Sequence, residues 1–74
     1  MKISFVIPFH NEENSTASML DRVIQFSQSQ KWNFEVVPVN DRSNDDTPQI
    51  LDHYAKKYAN IHPVHRRGGA DLGN

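Results

Sequence analysis

Three aspartates and two asparagines lie within one short stretch of the chain, VNDRSNDDT, which runs from Val39 to Thr47. Clustered carboxylates of this kind are typical of a calcium loop, a helix N-terminus, or a pocket that accepts N–H groups from a ligand. A calcium loop places oxygen ligands at alternating positions and turns at a glycine. Arg42 occupies one of those alternating positions, and the stretch contains no glycine. The sequence therefore predicts no metal site in this stretch.

The position of each aspartate separates the two remaining interpretations. Asp45 and Asp46 come just before a helical pattern, where acidic side chains stabilise the positive end of the helix dipole. We therefore predict that they cap this helix or are solvated. Asp41 lies within the first two positions after an apolar, β-rich run, and its carboxylate is expected to point into the crevice at the end of that strand. From the pattern alone, contact with a ligand and bracing of the loop both stay open for Asp41.

The four histidines do not have the spacing of a zinc site. His62 and His65 lie in a predicted strand at positions whose side chains face opposite sides of the sheet, and the sequence contains no HExxH pair. Glu12 and Glu13 are explained by the dipole of the helix that they begin, although Glu12 is the better candidate for ligand contact. His10 lies in a loop directly after a strand, and it stays a candidate for ligand binding.

Hydrophobic periodicity predicts the elements that must position these residues. Helices are predicted over 12–28 and 47–59, and strands over 2–7, 34–39 and, more weakly, 61–65. Thr47 is predicted to be the N-cap of the second helix, with Pro48 at the first helical position. Asn60 is predicted to end that helix in a left-handed conformation. Pro38 deletes a ladder hydrogen bond in the second strand, so we expect a bulge or a distorted strand end there.

The order β-α-β-α-β indicates a parallel sheet with right-handed crossovers. Ligands bind to open parallel sheets outside the carboxyl ends of the strands. The loops that follow the first two strands both lie at that edge, so we expect them to line one crevice. The glycine-bearing tail has no phosphate-loop motif, but Arg67 and Gly68 are candidate contacts to an anionic diphosphate.

Composition limits the class of protein. With 74 residues and no cysteine, residues 1–74 form at most one small domain, without disulfides or thiolate metal clusters. The net charge of −1, from 8 basic and 9 acidic residues, gives no electrostatic footprint for nucleic acid. The apolar runs are too short for a membrane span or a secretory signal. We therefore expect a cytoplasmic piece of a larger protein.

Two motifs in this order resemble family-two glycosyltransferases, which have the GT-A fold. Typical members begin with a strand that ends in VIPxYNEE, and their next strand runs into VDDGSxDxT. The segments VIPFHNEEN and VNDRSNDDT match these motifs in order, in spacing and in the intervening helix. The resemblance covers nearly the whole chain. It implies an α/β fold, in the form of a parallel β-α-β-α-β three-layer fragment. Such a fragment is the Rossmann-like half of a GT-A fold, which binds the nucleotide sugar.

The resemblance also implies a nucleotide site. The family holds the nucleobase and ribose with its first loop and with the second acid of its second motif, which correspond to Pro8, His10, Glu12 and Asp41. Three positions depart from the family pattern: Asn40 replaces the first acid, His10 the tyrosine and Arg42 the glycine. His10 can still stack on the ligand or hydrogen-bond to it. Arg42 is expected to restrict the loop and to add a positive charge near the phosphates.

The activity implied is transfer of a sugar from a UDP- or GDP-linked donor to an acceptor hydroxyl or a lipid phosphate. The full-length enzyme is expected to use Mg²⁺ or Mn²⁺, but the family's DxD motif and catalytic base would lie beyond Asn74. The fragment is therefore expected to bind the donor nucleotide without a metal and to be inactive alone. A nucleotidyltransferase-like α/β nucleotide-binding enzyme and a non-catalytic interaction module with the same fold stay open as alternatives.

Two expectations concern assembly and location. The first strand is expected to expose an unpaired edge, through which the fragment self-associates. Membrane association of the full-length protein stays open.

Overall fold

A computed structural model describes residues 1–66 of the chain. The elements, in chain order, are β1 (Lys2–Phe9), α1 (Glu13–Ser29), β2 (Asn33–Asp41), α2 (Thr47–Lys57) and β3 (Val64–Arg66). The strands are parallel, and β2 lies between β1 and β3. The predicted α/β class and the β-α-β-α-β order are confirmed. The candidate diphosphate contacts Arg67 and Gly68 lie outside the described residues.

Both helices pack on one face of the sheet. Side chains alternate between the two faces of a strand, and in β2 the even-numbered residues are the buried ones. They join residues of both helices in a single core cluster: Phe9, Leu20, Ile24, Phe34, Val36, Leu51, Tyr54 and Ile61. On the opposite face, Val6 and Val64 are exposed. Residues 1–66 thus supply two layers of the three-layer arrangement, the sheet and one layer of helices.

The two helices are joined directly by Tyr54. Its hydroxyl donates a hydrogen bond to Oδ1 of Asp21, at 2.7 Å, which links the second half of α2 to the middle of α1. Burial of the ring, followed by the neighbouring Asp21 carboxylate, raises the pKa of Tyr54 to about 12. The hydroxyl is therefore protonated at neutral pH and donates to the carboxylate, which fixes how α2 sits against α1.

Pro38 does not cause a bulge, so that prediction is wrong. The register with β1 continues one residue to one residue through the pair Ile7 and Pro38. The N–H that Pro38 lacks affects the other side of β2, which pairs with β3. Val36 exchanges both of its backbone hydrogen bonds with the segment around Ile61, and Pro38, two residues on, faces the same side. The pairing stops there and resumes only at Val64, where β3 begins.

The ends of α2 also differ from the prediction. The N-cap is Asp46, and Thr47 is the first helical residue. After the helix, Tyr58 is extended rather than left-handed (φ −125°, ψ 123°). The helix ends at Lys57, so Asn60 does not end it, and Asn60 is not left-handed. Its side-chain amide instead donates to the backbone oxygen of Phe34, at 3.1 Å. This amide helps to hold the segment before β3 against the start of β2.

The C-terminus of α1 is closed by a Schellman motif. Lys31 is left-handed (φ 58°), its N–H donates to the oxygen of Gln28, and the N–H of Trp32 donates to the oxygen of Ser27. This is the pairing that satisfies the last carbonyls of a helix. The Trp32 ring also packs edge-on against Phe26, with 5.4 Å between centroids. The turn leads the chain straight into β2.

Candidate functional site

The carboxyl ends of β1 and β2 lie side by side, because Phe9 is in register with Asn40. Asp41 is the last residue of β2 rather than the second residue beyond it. Asn40 is buried and faces the helices, so the side chain of Asp41 lies on the opposite face of the sheet. Pro8 lies on that same face, because its register partner is Val39. The two loops that follow these strands are therefore neighbours, as predicted.

Each loop caps the helix that follows the other strand. The N–H of Glu12 donates to Oγ1 of Thr47 at 3.1 Å, and the N–H of Glu13 donates to Oδ2 of Asp45 at 3.2 Å. In return, the N–H of Asp46 donates to Oε1 of Glu13 at 2.8 Å. The other oxygen of Asp45 accepts the N–H of Thr47 at 2.9 Å. Asp45 therefore caps both helices. The side chain of Asp46, the N-cap residue of α2, forms no capping bond to that helix.

These contacts change the acidity of Asp45. Hydrogen bonding from the side chain of Thr47, followed by the backbone N–H groups of Thr47 and Glu13, lowers the pKa of Asp45 below its usual 3.8. Bonds that favour the charged form of a carboxyl group have this effect. Asp45 is thus a structural carboxylate, as its position before the helix predicted.

A second set of contacts joins the two loops near their tips. The N–H of Asn11 donates to Oγ of Ser43 at 2.9 Å, and the N–H of Asn44 donates to Oδ1 of Asn11 at 2.6 Å. Asn11 is left-handed (φ 49°), a conformation that asparagine tolerates better than most residues. The sequence did not indicate that Asn11 contacts the second loop, because these bonds join residues 32 and 33 positions apart. The two loops form one connected unit.

Three of the four predicted nucleoside-binding residues meet at this unit. The Nδ1 atom of His10 donates to the backbone oxygen of Asp41, and since a carbonyl oxygen can only accept, Nδ1 carries a proton. The other ring nitrogen, Nε2, lies 3.4 Å from the amide nitrogen of Asn11 and accepts from it. Glu12 accepts the backbone N–H of His10 through Oε1, at 3.2 Å. The fourth residue, Pro8, lies at the end of β1 on the face that carries the Asp41 side chain.

The two oxygens of the Asp41 carboxylate have different surroundings. Oδ1 is buried and makes no hydrogen bond within residues 1–66. It faces Arg42, whose Nε lies 3.5 Å away. The Asp41 side chain as a whole is still 39% exposed, so its accessible surface lies on its other atoms. The carboxylate is therefore half shielded and half open at the end of β2.

A concavity of about 540 Å³ lies beside this site, towards α2 and β3. It is lined by Asn40, Arg42, Ser43, Asn44, Pro48, Asp52, His65 and Arg66. None of the four predicted nucleoside-binding residues belongs to its lining. The concavity and the four predicted nucleoside-binding residues are therefore distinct features of this sheet edge.

The described residues do not form a metal centre. Residues 1–66 contain no group of three or more His, Cys, Asp or Glu side chains that could hold a metal ion. Both oxygens of Asp45 are occupied by backbone N–H groups. Residues 1–66 alone therefore do not fit a divalent metal ion.

Comparison with known proteins places the chain in a family. The sequence profile described as glycosyl transferase family 2 matches residues 4–74. The chain belongs to this family. The predicted membership is confirmed, and it agrees with the parallel α/β sheet.

Relatives with assigned activities match over much of the chain. A poly(ribitol-phosphate) beta-glucosyltransferase of Bacillus spizizenii is 38% identical over 66 residues, which is 89% of this chain and 10% of the relative. A dolichyl-phosphate beta-glucosyltransferase of Trichomonas vaginalis is 36% identical, over 95% of this chain and 24% of the relative. An undecaprenyl-phosphate 4-deoxy-4-formamido-L-arabinose transferase of Proteus mirabilis is 35% identical, over 73% and 17%. The chain thus spans a quarter or less of the length of these relatives.

Asn40, which stands where the family motif quoted above has an acid, has a structural role in this fold. Its amide nitrogen lies 3.2 Å from Nδ1 of His65, and Nε2 of His65 lies 2.8 Å from Oδ1 of Asp52. The amide of Asn40 also accepts the N–H of Ser43 through Oδ1, at 3.3 Å. Asn40 therefore joins β2 to β3 and α2 and does not face the nucleoside side of the sheet.

Neither of the helices in the described part of the chain is long and apolar enough to span a membrane.

Proposed function

We propose that this chain is the donor-nucleotide-binding part of a family 2 glycosyltransferase. The observation that carries the proposal is the junction of His10 with Asp41, which fixes an imidazole ring beside an open carboxylate at the carboxyl ends of two parallel strands. This is the edge at which open α/β sheets bind their ligands. The family membership supports the reaction class, and the geometry supports the position of the site.

Each predicted residue has a distinct role in this proposal. Asp41 accepts an N–H group of the nucleobase with its accessible oxygen. His10 presents an exposed ring that packs against the base, and Glu12 holds the backbone of His10 in place. Pro8 gives the strand end a rigid apolar surface. Arg67 and Gly68, proposed on sequence grounds alone, contact the diphosphate.

The proposed reaction moves a sugar from a UDP- or GDP-linked donor to an acceptor hydroxyl or a lipid phosphate. Relatives whose names specify poly(ribitol phosphate), dolichyl phosphate or undecaprenyl phosphate support an acceptor of this class. We propose that the full-length protein uses Mg²⁺ or Mn²⁺ held by residues outside 1–66, and that it works at a membrane because of its lipid acceptor. The chain alone is proposed to bind the donor without transferring the sugar.

The chain is also proposed to self-associate through the free edge of its sheet. Within the described residues, β1 pairs with β2 on one side only. An unpaired strand edge presents N–H and C=O groups that another chain can pair with.

Asp41→Asn tests the site, and Asp46→Asn is the matched control. Asn at position 41 turns one acceptor oxygen into a donor, so affinity for UDP or GDP should fall by roughly tenfold, as expected for the loss of a hydrogen bond to a charged group. Asp46 lies in the same loop and is exposed, and its substitution removes the same charge without touching the proposed ligand. Affinity is measured by calorimetric or NMR titration of the protein.

The site proposal fails if neither nucleotide binds the unmodified protein. It also fails if both substitutions weaken binding equally, because that result would indicate a general effect of charge.

A further inference from the structure

The shielded oxygen of Asp41 limits what this residue can recognise. Oδ1 is out of contact with solvent, so a ligand cannot reach it while Arg42 keeps its place 3.5 Å away. An ionised carboxylate normally offers two acceptor oxygens side by side. In this structure, only one of the two oxygens of Asp41 is accessible to a ligand at the end of β2.

The backbone holds Arg42 in this position. Arg42 is left-handed (φ 59°), a conformation that glycine adopts without cost and that is unfavourable for a residue with a Cβ. Its N–H donates to the backbone oxygen of Arg66 at 3.0 Å, which extends the ladder between β2 and β3. The strain at Arg42 is thus overcome by the sheet, and the side chain that a glycine would lack lies beside Asp41, with Nε 3.5 Å from Oδ1.

Uracil and guanine place different demands on a carboxylate. The pairing edge of uracil has one N–H between two carbonyl oxygens, so it needs one acceptor with a donor beside it. The edge of guanine has two adjacent N–H donors, which match both oxygens of a carboxylate. A polar site discriminates strongly when a ligand group is left without a partner.

We propose that Arg42 is a specificity-determining residue that leaves Asp41 one acceptor oxygen and thereby favours uracil over guanine. The guanidinium group, which has five N–H donors, supplies the donor beside that acceptor and pairs with a carbonyl of uracil. Guanine retains one unpaired N–H in the same site. This inference rests on the proposed role of Asp41 and selects the UDP-linked donor from the two that the proposed function includes.

Binding of UDP and GDP to a series of position-42 variants tests the inference. Arg42→Gly and Arg42→Asn both suit a left-handed conformation, so they expose Oδ1 without disturbing the loop, and Arg42→Lys retains the positive charge without the planar guanidinium group. The unmodified protein should bind UDP roughly tenfold more tightly than GDP, as expected for one unpaired donor. In the Gly and Asn variants, affinity for GDP should rise and the ratio should approach one. The Lys variant should also lose most of the preference.

Each other outcome has a defined meaning. If Arg42→Gly weakens both nucleotides equally and Arg42→Lys restores them, Arg42 contacts the phosphates and the inference is overturned. If Asp41→Asn weakens binding as proposed above but the ratio does not change in any position-42 variant, the inference alone fails and the proposed function stands. Absence of binding to the unmodified protein overturns both.

Discussion

Thr47→Val removes the bond by which the second loop caps the first helix, together with the hydrogen bond from the Thr47 hydroxyl to Asp45. The Thr47 side chain is fully buried, and its hydroxyl accepts the N–H of Glu12 at 3.1 Å. Valine has nearly the same shape, so the core keeps its volume, but the N–H of Glu12 loses its partner. This N–H is one of the donors that a helix cannot satisfy within itself.

The expected cost follows from the partial burial of that donor. An orphaned donor that is fully buried costs about 1–3 kcal/mol. Because the bond between Glu12 and Thr47 is only partly buried, water can replace some of the loss, and we expect about 1–2 kcal/mol. For a domain of this size each kcal/mol lowers Tm by about 4–8 °C, so Tm should fall by roughly 4–16 °C. The protein should still fold, because a chain of 74 residues has a stability of roughly 4–11 kcal/mol.

Hydrogen exchange separates this mechanism from a general loss of packing. Thr47→Ser keeps the hydroxyl but removes the buried methyl group, which itself costs about 1 kcal/mol. The two variants therefore have similar Tm values but should differ at one amide. Glu12 should lose its protection in the Val variant and keep it in the Ser variant. If Glu12 stays protected in the Val variant, the hydroxyl of Thr47 is not the cap.

The elements could be predicted from the sequence because their signals are local. Apolar residues at helical spacing located both helices to within two residues, and the β-rich runs located all three strands. The end of β2 was placed too early, since Asn and Asp are rare in strands. In the structure, Asn40 and Asp41 are held in the strand by pairing with His65 and Arg66. This tertiary pairing overrides the local preference.

The site was predictable only in part, for a related reason. Motif order placed His10, Glu12 and Asp41 at one sheet edge, and the structure brings these three together. The shielding of one oxygen of Asp41 was not predictable, because it depends on the three-dimensional packing at the end of β2. Spacing along a chain reports which residues share an edge, but not which atoms remain accessible there.

Two further predictions concern assembly and acid stability. The backbone N–H and C=O groups of Val36 bond to the β3 side of β2. In a parallel ladder, its register partner Phe5 then directs its own backbone groups towards β2. The N–H of the next residue, Val6, therefore points to the free edge of β1. Val6→Pro should therefore abolish concentration-dependent self-association in light scattering. Val6→Thr keeps the N–H and should leave self-association unchanged, and equal effects of the two substitutions would refute pairing through the edge. The second prediction concerns Asp45, whose pKa is lowered in the folded protein. Its contribution to the free energy of unfolding is therefore present above its unfolded pKa, near 3.8, and is lost as pH falls through its folded value. Urea unfolding should thus show Asp45→Asn to be less stable than the unmodified protein at about pH 7, with the difference shrinking towards about pH 2 as the carboxyl group is protonated. A difference independent of pH would mean that the charge of Asp45 is not what caps the two helices.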